Sequence, residues 1–83
     1  MNDNDIDRVI RESLAGVAPD LEIDGLEPEV LIRDQADFDS MDTLNFAIAL
    51  SQALSIDIPE SDYPRLASLG ECRRYLEGRL GRA

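Results

Sequence analysis

Apolar residues recur at helical spacing three times along this chain of 83 residues, and each recurrence predicts a helix. From about Asp5 to Val17, one face holds Ile6, Val9, Ile10, Leu14 and Val17, and the other holds Asp7, Arg8, Arg11 and Glu12. Asn2, Asp3, Asn4 and Asp5 are N-cap candidates and place acidic charge where the helix dipole favours it. Gly16 and Pro19 mark the end. A second helix is expected from Ser40 to about Leu54. Its apolar residues, Leu44, Phe46, Ala47, Ile48, Leu50 and Leu54, cover more than one stripe, which suits a helix central to the core or partly exposed for a partner. Asp39 is placed to cap it, accepting from the backbone N–H of Met41 or Asp42, with Asp42 at the third helical position. Ser40 then sits in the first turn with its hydroxyl free to face solvent. The last helix follows the capping-box pattern Ser68-Leu69-Gly70-Glu71. It turns Leu69, Cys72, Tyr75, Leu76 and Leu80 to one face and Arg73, Arg74, Glu77 and Arg79 outward. Gly78 and Gly81 loosen its end, and Gly81-Arg82-Ala83 is expected to fray.

Between these helices the pattern breaks down. Ala18 to Asp39 has no sustained period, and Pro19, Gly25 and Pro28 interrupt it. So long a connection is unusual in a small domain, but Leu21, Ile23, Leu26, Val30, Leu31, Ile32 and Phe38 can pin it across a helical core. Val30 to Arg33 suits a short helical turn. Leu21-Glu22-Ile23 reads alternatively as a strand, though without an obvious partner. After Ile56-Asp57-Ile58-Pro59, Ser61 is placed to cap a short turn through Tyr63 and Arg65, with Pro64 tolerated in its first turn. Repeats, low-complexity tracts and linkers are absent, so residues 1–83 read as one all-α domain: a small four-helix bundle of three main helices and one short one, with a long first loop. Leu44, Ala47, Ile48, Leu50, Leu54, Ile58, Leu66, Leu69, Cys72, Tyr75 and Leu76 are expected to surround any cleft between the helices.

Charge narrows the choice of partner. The chain carries 18 acidic residues against 8 arginines and no lysine, a net charge of −10. That balance disfavours nucleic acid and anionic lipid as partners, and suits either basic proteins or solubility alone. A single cysteine, Cys72, excludes an internal disulfide and belongs by position to the buried face of the last helix. With no basic-then-apolar leader and no run of membrane-spanning length, a cytoplasmic location is expected. The opening Met1 and short acidic lead suggest a standalone protein.

The chemistry concentrates at Asp37-Phe38-Asp39-Ser40-Met41-Asp42. Without histidine or lysine there is no base to activate Ser40 for hydrolysis, and no cofactor loop or metal site suggests an enzyme. What the stretch offers is a hydroxyl at a helix N-terminus, where backbone N–H groups favour phosphate. The carboxylates of Asp39 and Asp42 suit a hard divalent cation once phosphate arrives. The surroundings fit attachment of a phosphoryl group.

Asp39-Ser40-Met41-Asp42 resembles the signature with which acyl carrier proteins and the related peptidyl carriers open their second helix. The resemblance runs from Ser40 to about Leu76 and takes in Thr43, Ala49-Leu50, Ile56-Asp57-Ile58-Pro59 and Tyr75-Leu76; the first helix and long loop agree in length and pattern. It implies that a phosphopantetheinyl transferase joins 4′-phosphopantetheine from coenzyme A to Ser40. The thiol of that arm would carry an acyl or aminoacyl thioester between ligases or synthases, in fatty-acid, polyketide or other specialised biosynthesis. It further implies that Asp39 helps hold Mg²⁺ during modification, that Met41, Asp42, Leu44 and Ile48 meet partner enzymes, and that the protein is a monomer. Two departures stand out. Asn45, Ser51 and Gln52 replace the glutamates usual on the second helix of bacterial fatty-acid carriers, and Asp34-Gln35-Ala36-Asp37-Phe38 replaces a shorter Asp-Leu-Gly. Both point to a specialised carrier with dedicated enzymes. A different class remains open: an unmodified helical interaction protein that docks through the exposed apolar helix 41–54.

Overall fold

The computed structural model describes residues 3–81, and among them it is all-helical, with no strand. The first helix, α1, runs Asp3–Val17. It starts two residues earlier than expected, so Asn4 and Asp5 lie inside it instead of capping it; Asn2 lies outside the described residues, as do Arg82 and Ala83. Ile6, Ile10 and Leu14 of α1 are buried, and Arg8 and Arg11 are turned outward to pair with Asp5 and Asp7.

The long loop is not structureless. Leu21-Glu22-Ile23 makes no strand: Leu21 N–H donates to Ala18 C=O, and Ile23–Gly25 closes into a 3₁₀ turn. A turn satisfies these backbone groups locally, which a strand without a neighbour cannot. The short helix α2 runs Ile32–Gln35, a little beyond the expected Val30–Arg33. Its Gln35 staples the preceding segment, accepting from Glu27 N–H (2.6 Å) and donating to the carbonyls of Glu27 (3.0 Å) and Val30 (2.9 Å).

Helix α3 runs Ser40–Leu54 and α4 runs Leu69–Arg79. Between them Glu60–Leu66 forms a 3₁₀ helix. It begins after Pro59, with no side-chain cap, so Ser61 lies inside it and caps nothing. Pro64 sits deeper than the first turn. The three long helices pack with α1 against both α3 and α4, and the Glu60–Leu66 helix bridges α4 and α3. Phe46, Ala47 and Leu50 from α3, Leu66, and Cys72, Tyr75 and Leu76 from α4 meet α1 in one core, and Phe38 lies edge-on to Phe46. Ile48 is not part of it.

The loop is clasped to the start of α4. Gly70 N–H donates to Pro28 C=O (2.8 Å), Ile32 N–H donates to Ala67 C=O (2.8 Å), and Arg74 forks onto Glu29 (3.0 and 3.2 Å). Only half of the capping box predicted at Ser68 forms: its hydroxyl accepts from Glu71 N–H, and the Glu71 carboxylate pairs instead with Arg65 and Arg74. A second tie joins α4 to the Glu60–Leu66 helix. Tyr75 donates to Asp62 (2.7 Å) and accepts from Arg79 (2.7 Å), while Arg65 and Arg79 lie over its ring. Burial, and then the Asp62 hydrogen bond, raise the Tyr75 hydroxyl above its ordinary range. Among the described residues no helix is long and apolar enough to cross a membrane.

Candidate functional site

Ser40 is the first residue of α3, and it is exposed. The reason lies one residue earlier. Asp39 adopts extended backbone and caps the helix: its Oδ1 accepts from Asp42 N–H (3.0 Å), and Asp42 Oδ2 accepts from Asp39 N–H (3.1 Å). Asp39 C=O accepts from Thr43 N–H (3.1 Å) and from the Thr43 hydroxyl (3.3 Å). The aspartates on either side of the serine therefore close the box, and Ser40 is spared that task. Among the described residues the N–H groups of Ser40 and Met41 have no hydrogen-bond partner, so two helix-start donors remain available.

Ser40 stands at a groove of about 780 Å³ between the start of α3 and the Glu60–Leu66 helix. Phe38, Met41, Leu44, Tyr63, Pro64 and Ala67 make much of its wall, with Leu31 and Arg33 reaching in from α2 and its flank. Arg33, Asp39 and Glu60 are its charged members. Of the residues singled out from the sequence, the structure brings together Asp39, Ser40, Met41 and Leu44 here. Asp42 lies on another side, lining a hollow of about 710 Å³ with Leu21, Gln35 and Asp37. Ile48 lines neither; it is 44% exposed on the outer face of α3. Among the described residues no group of three or more His, Cys, Asp or Glu is arranged to hold a metal ion.

The cleft itself is a correction. Of the eleven residues expected around it, Leu44 alone lines this groove. Ala47, Leu50, Leu66, Cys72 and Leu76 are packed into the core with almost no exposure. Natural interiors close to crystal-like density, so the space opens at the rim, where the loop and the 3₁₀ helix meet α3. Arg33, Glu60, Tyr63, Pro64 and Ala67 were missed because no local pattern links segments so far apart in the chain.

Cys72 is fully buried, and burial pushes its thiol up from 9.0 to about 12, which removes it as a nucleophile at neutral pH. Arg73 and Arg74, expected to face outward, pair at the surface with Asp7 and Glu29. The Arg74 guanidinium holds the Glu29 carboxyl below its usual range, and that pair sits on the loop clasp, not at the groove. No known protein-family model matches the chain, and no solved structure matches it.

Proposed function

We infer that this protein is a carrier: Ser40 accepts 4′-phosphopantetheine from coenzyme A, delivered by a phosphopantetheinyl transferase. When bound, the arm supplies a thiol that holds an acyl or aminoacyl group as a thioester between loading ligases and synthases. The observation that carries this reading is the placement of Ser40, an exposed hydroxyl at the first residue of α3 within Asp39-Ser40-Met41-Asp42, beside a largely apolar groove. The fit is chemical. The unspent N–H groups of Ser40 and Met41 favour a phosphodiester on the neighbouring hydroxyl. Asp39 Oδ2 and Asp42 Oδ1 lie outside the capping box, and hard carboxylate oxygens suit a Mg²⁺ ion shared with the transferase.

In the attachment, Ser40 Oγ forms the new bond to phosphorus. Adenosine 3′,5′-bisphosphate leaves with the electron pair of the broken pyrophosphate bond, and the hydroxyl proton passes to a base on the transferase. With neither histidine nor lysine, this chain leaves that base to its partner. The groove walls from Phe38, Met41, Leu44 and Tyr63 offer the arm and its cargo a place out of water. On this reading the protein is a cytoplasmic monomer, passed between enzymes and not itself a catalyst.

The test is intact mass before and after incubation with a broad-specificity transferase, Mg²⁺ and coenzyme A, with Ser40→Ala alongside. One phosphopantetheine gained by the wild type and none by the variant is the expected result. No gain on a folded sample not already modified sinks the carrier reading. It would favour the second one, an unmodified interaction module, to which the exposure of Met41 and Ile48 also points.

A further inference from the structure

Among the described residues, Arg8, Arg11, Arg65, Arg73 and Arg74 each pair with a carboxylate, and Arg79 donates to Tyr75 and to Asp57 C=O. Arg33 is the exception. It has no hydrogen bond or ion pair among the described residues, in a chain with 18 acidic side chains. Its neighbours in sequence explain this. Asp34 is adjacent, and adjacent side chains on a helix do not face each other. Asp37 lies four residues on, but α2 ends at Gln35, so no helical turn brings it back to Arg33. Arg33 is exposed, and it lines the same groove as Ser40. Asp39 and Glu60 line that groove too, and neither pairs with it.

We propose that Arg33 is the counter-ion of the phosphodiester that joins the arm to Ser40, and that this pair keeps the near end of the arm at the groove. The proposal rests on the carrier reading and adds a binding residue to it. Charge is the argument. Loading adds a negative charge at Ser40, beside Asp39 and Asp42, on a chain already at −10, with Glu60 on the same groove. Those carboxylates disfavour it, and Arg33 is the cation that lines the groove. Arg65 belongs to the Glu60–Leu66 helix but does not line the groove, and Glu71 and the Tyr75 ring engage it. An arginine that holds no carboxylate can turn to a new anion without breaking a pair. Its planar fork of N–H donors matches phosphate oxygens two at a time.

The test compares apo protein with protein loaded by a broad-specificity phosphopantetheinyl transferase, coenzyme A and Mg²⁺, then purified away from them. The arm is left unacylated, so the phosphodiester is the one anion added and a carboxylate on the cargo plays no part. In nitrogen–proton spectra of the apo protein, the arginine Nε–H signal missing from Arg33→Gln identifies Arg33. On loading, that signal should shift more than any other arginine's. The shift should shrink from 0.1 M to 1 M salt, over which the Debye length falls from about 10 to 3 Å. The phosphorus resonance of loaded wild type should differ from that of loaded Arg33→Gln, with Arg33→Lys between them. Arg8→Gln on α1 is the distant control and should leave it unmoved. Arg33 has no protein partner, so the apo variants at this position should melt as the wild type does. An Arg33 signal that stays in place on loading overturns the proposal and leaves the carrier reading standing. So does a phosphorus resonance indifferent to the residue at position 33. Slower loading of Arg33→Gln with both spectra unmoved would make Arg33 a contact of the transferase, and the proposal falls. If Arg33→Gln resists loading altogether, the wild-type Nε–H shift alone decides. If the wild type gains no mass, the carrier reading falls and takes this proposal with it.

Discussion

Three side chains show how residue-level physics sets what this protein can do. Asp39 keeps its two oxygens separable: Oδ1 holds the start of α3 by accepting from Asp42 N–H, and Oδ2 takes no part in the capping box. Ser40 is exposed because its neighbours do the capping. Cys72 is the opposite case, a potential nucleophile silenced by burial. Because its folded-state thiol is raised to about 12 from an ordinary 9.0, the unfolded chain releases that proton first as pH rises. Stability from this group is therefore complete below pH 9.0 and is lost as pH climbs toward 12. The raised Tyr75 hydroxyl pulls in the same direction at the alkaline end. Urea unfolding midpoints measured across that window should fall for the wild type and fall less for Cys72→Ala. Equal slopes would mean that the thiol is not shielded as the structure describes.

At the scale of elements, the loop and α4 explain each other. Two glycines of α4 have opposite roles. At Gly70 an added Cβ would meet the Glu29 carboxylate and lie 3.0 Å from Pro28 O, the atom that Gly70 N–H holds. Pro28 O must give by a few tenths of an ångström while still accepting from Gly70 N–H, so Gly70→Ala should cost about 1–3 kcal/mol despite the better helix propensity of alanine. At Gly78 nothing lies within 4 Å, and Gly78→Ala should stabilise by about 0.5–1 kcal/mol. Thermal melts of the two variants check both signs; a stabilised Gly70→Ala would show that the clasp is loose. Helix α3 ends on a left-handed residue that is not glycine: Ser55 has φ 55°, and Ile56 N–H reaches back to Ser51 C=O (3.1 Å). Ser55 N–H donates to the same carbonyl, so the helix closes on Ser51 C=O as the backbone turns left-handed.

For the whole molecule, charge is sorted by region. Between Glu12 and Tyr63 the one arginine is Arg33, while the other seven lie in the first helix and the last third of the chain. The ion pairs that these make are exposed, and each contributes about 0–1 kcal/mol. Against them stands the mutual repulsion of a −10 chain folded to a radius of gyration of 11.5 Å. Repulsion should win. Raising salt from about 0.01 M to 0.15 M, which shortens the Debye length from about 30 to 8 Å, should raise Tm. A Tm that falls over this range would mean that the surface pairs outweigh the net charge.

The sequence by itself determined the three long helices, the cap at Asp39, the exposure of Ser40 and the burial of Cys72 and Tyr75. Each depends on interactions within about four residues or on a one-sided apolar period, which a linear pattern records directly. The structure alone decided the rest. The start of α1 moved because acidic residues suit a first turn as well as a cap. The strand alternative at Leu21 gave way to a turn for want of a neighbour. Ser61 lost its cap to Pro59, and half of the Ser68 box dissolved once Glu71 met Arg65 and Arg74. The groove moved from the core to the rim, where residues up to 36 apart along the chain, Leu31 and Ala67, share a wall. Contacts at that separation leave no trace in local spacing, because loop closure brings their partners together only when the whole core forms.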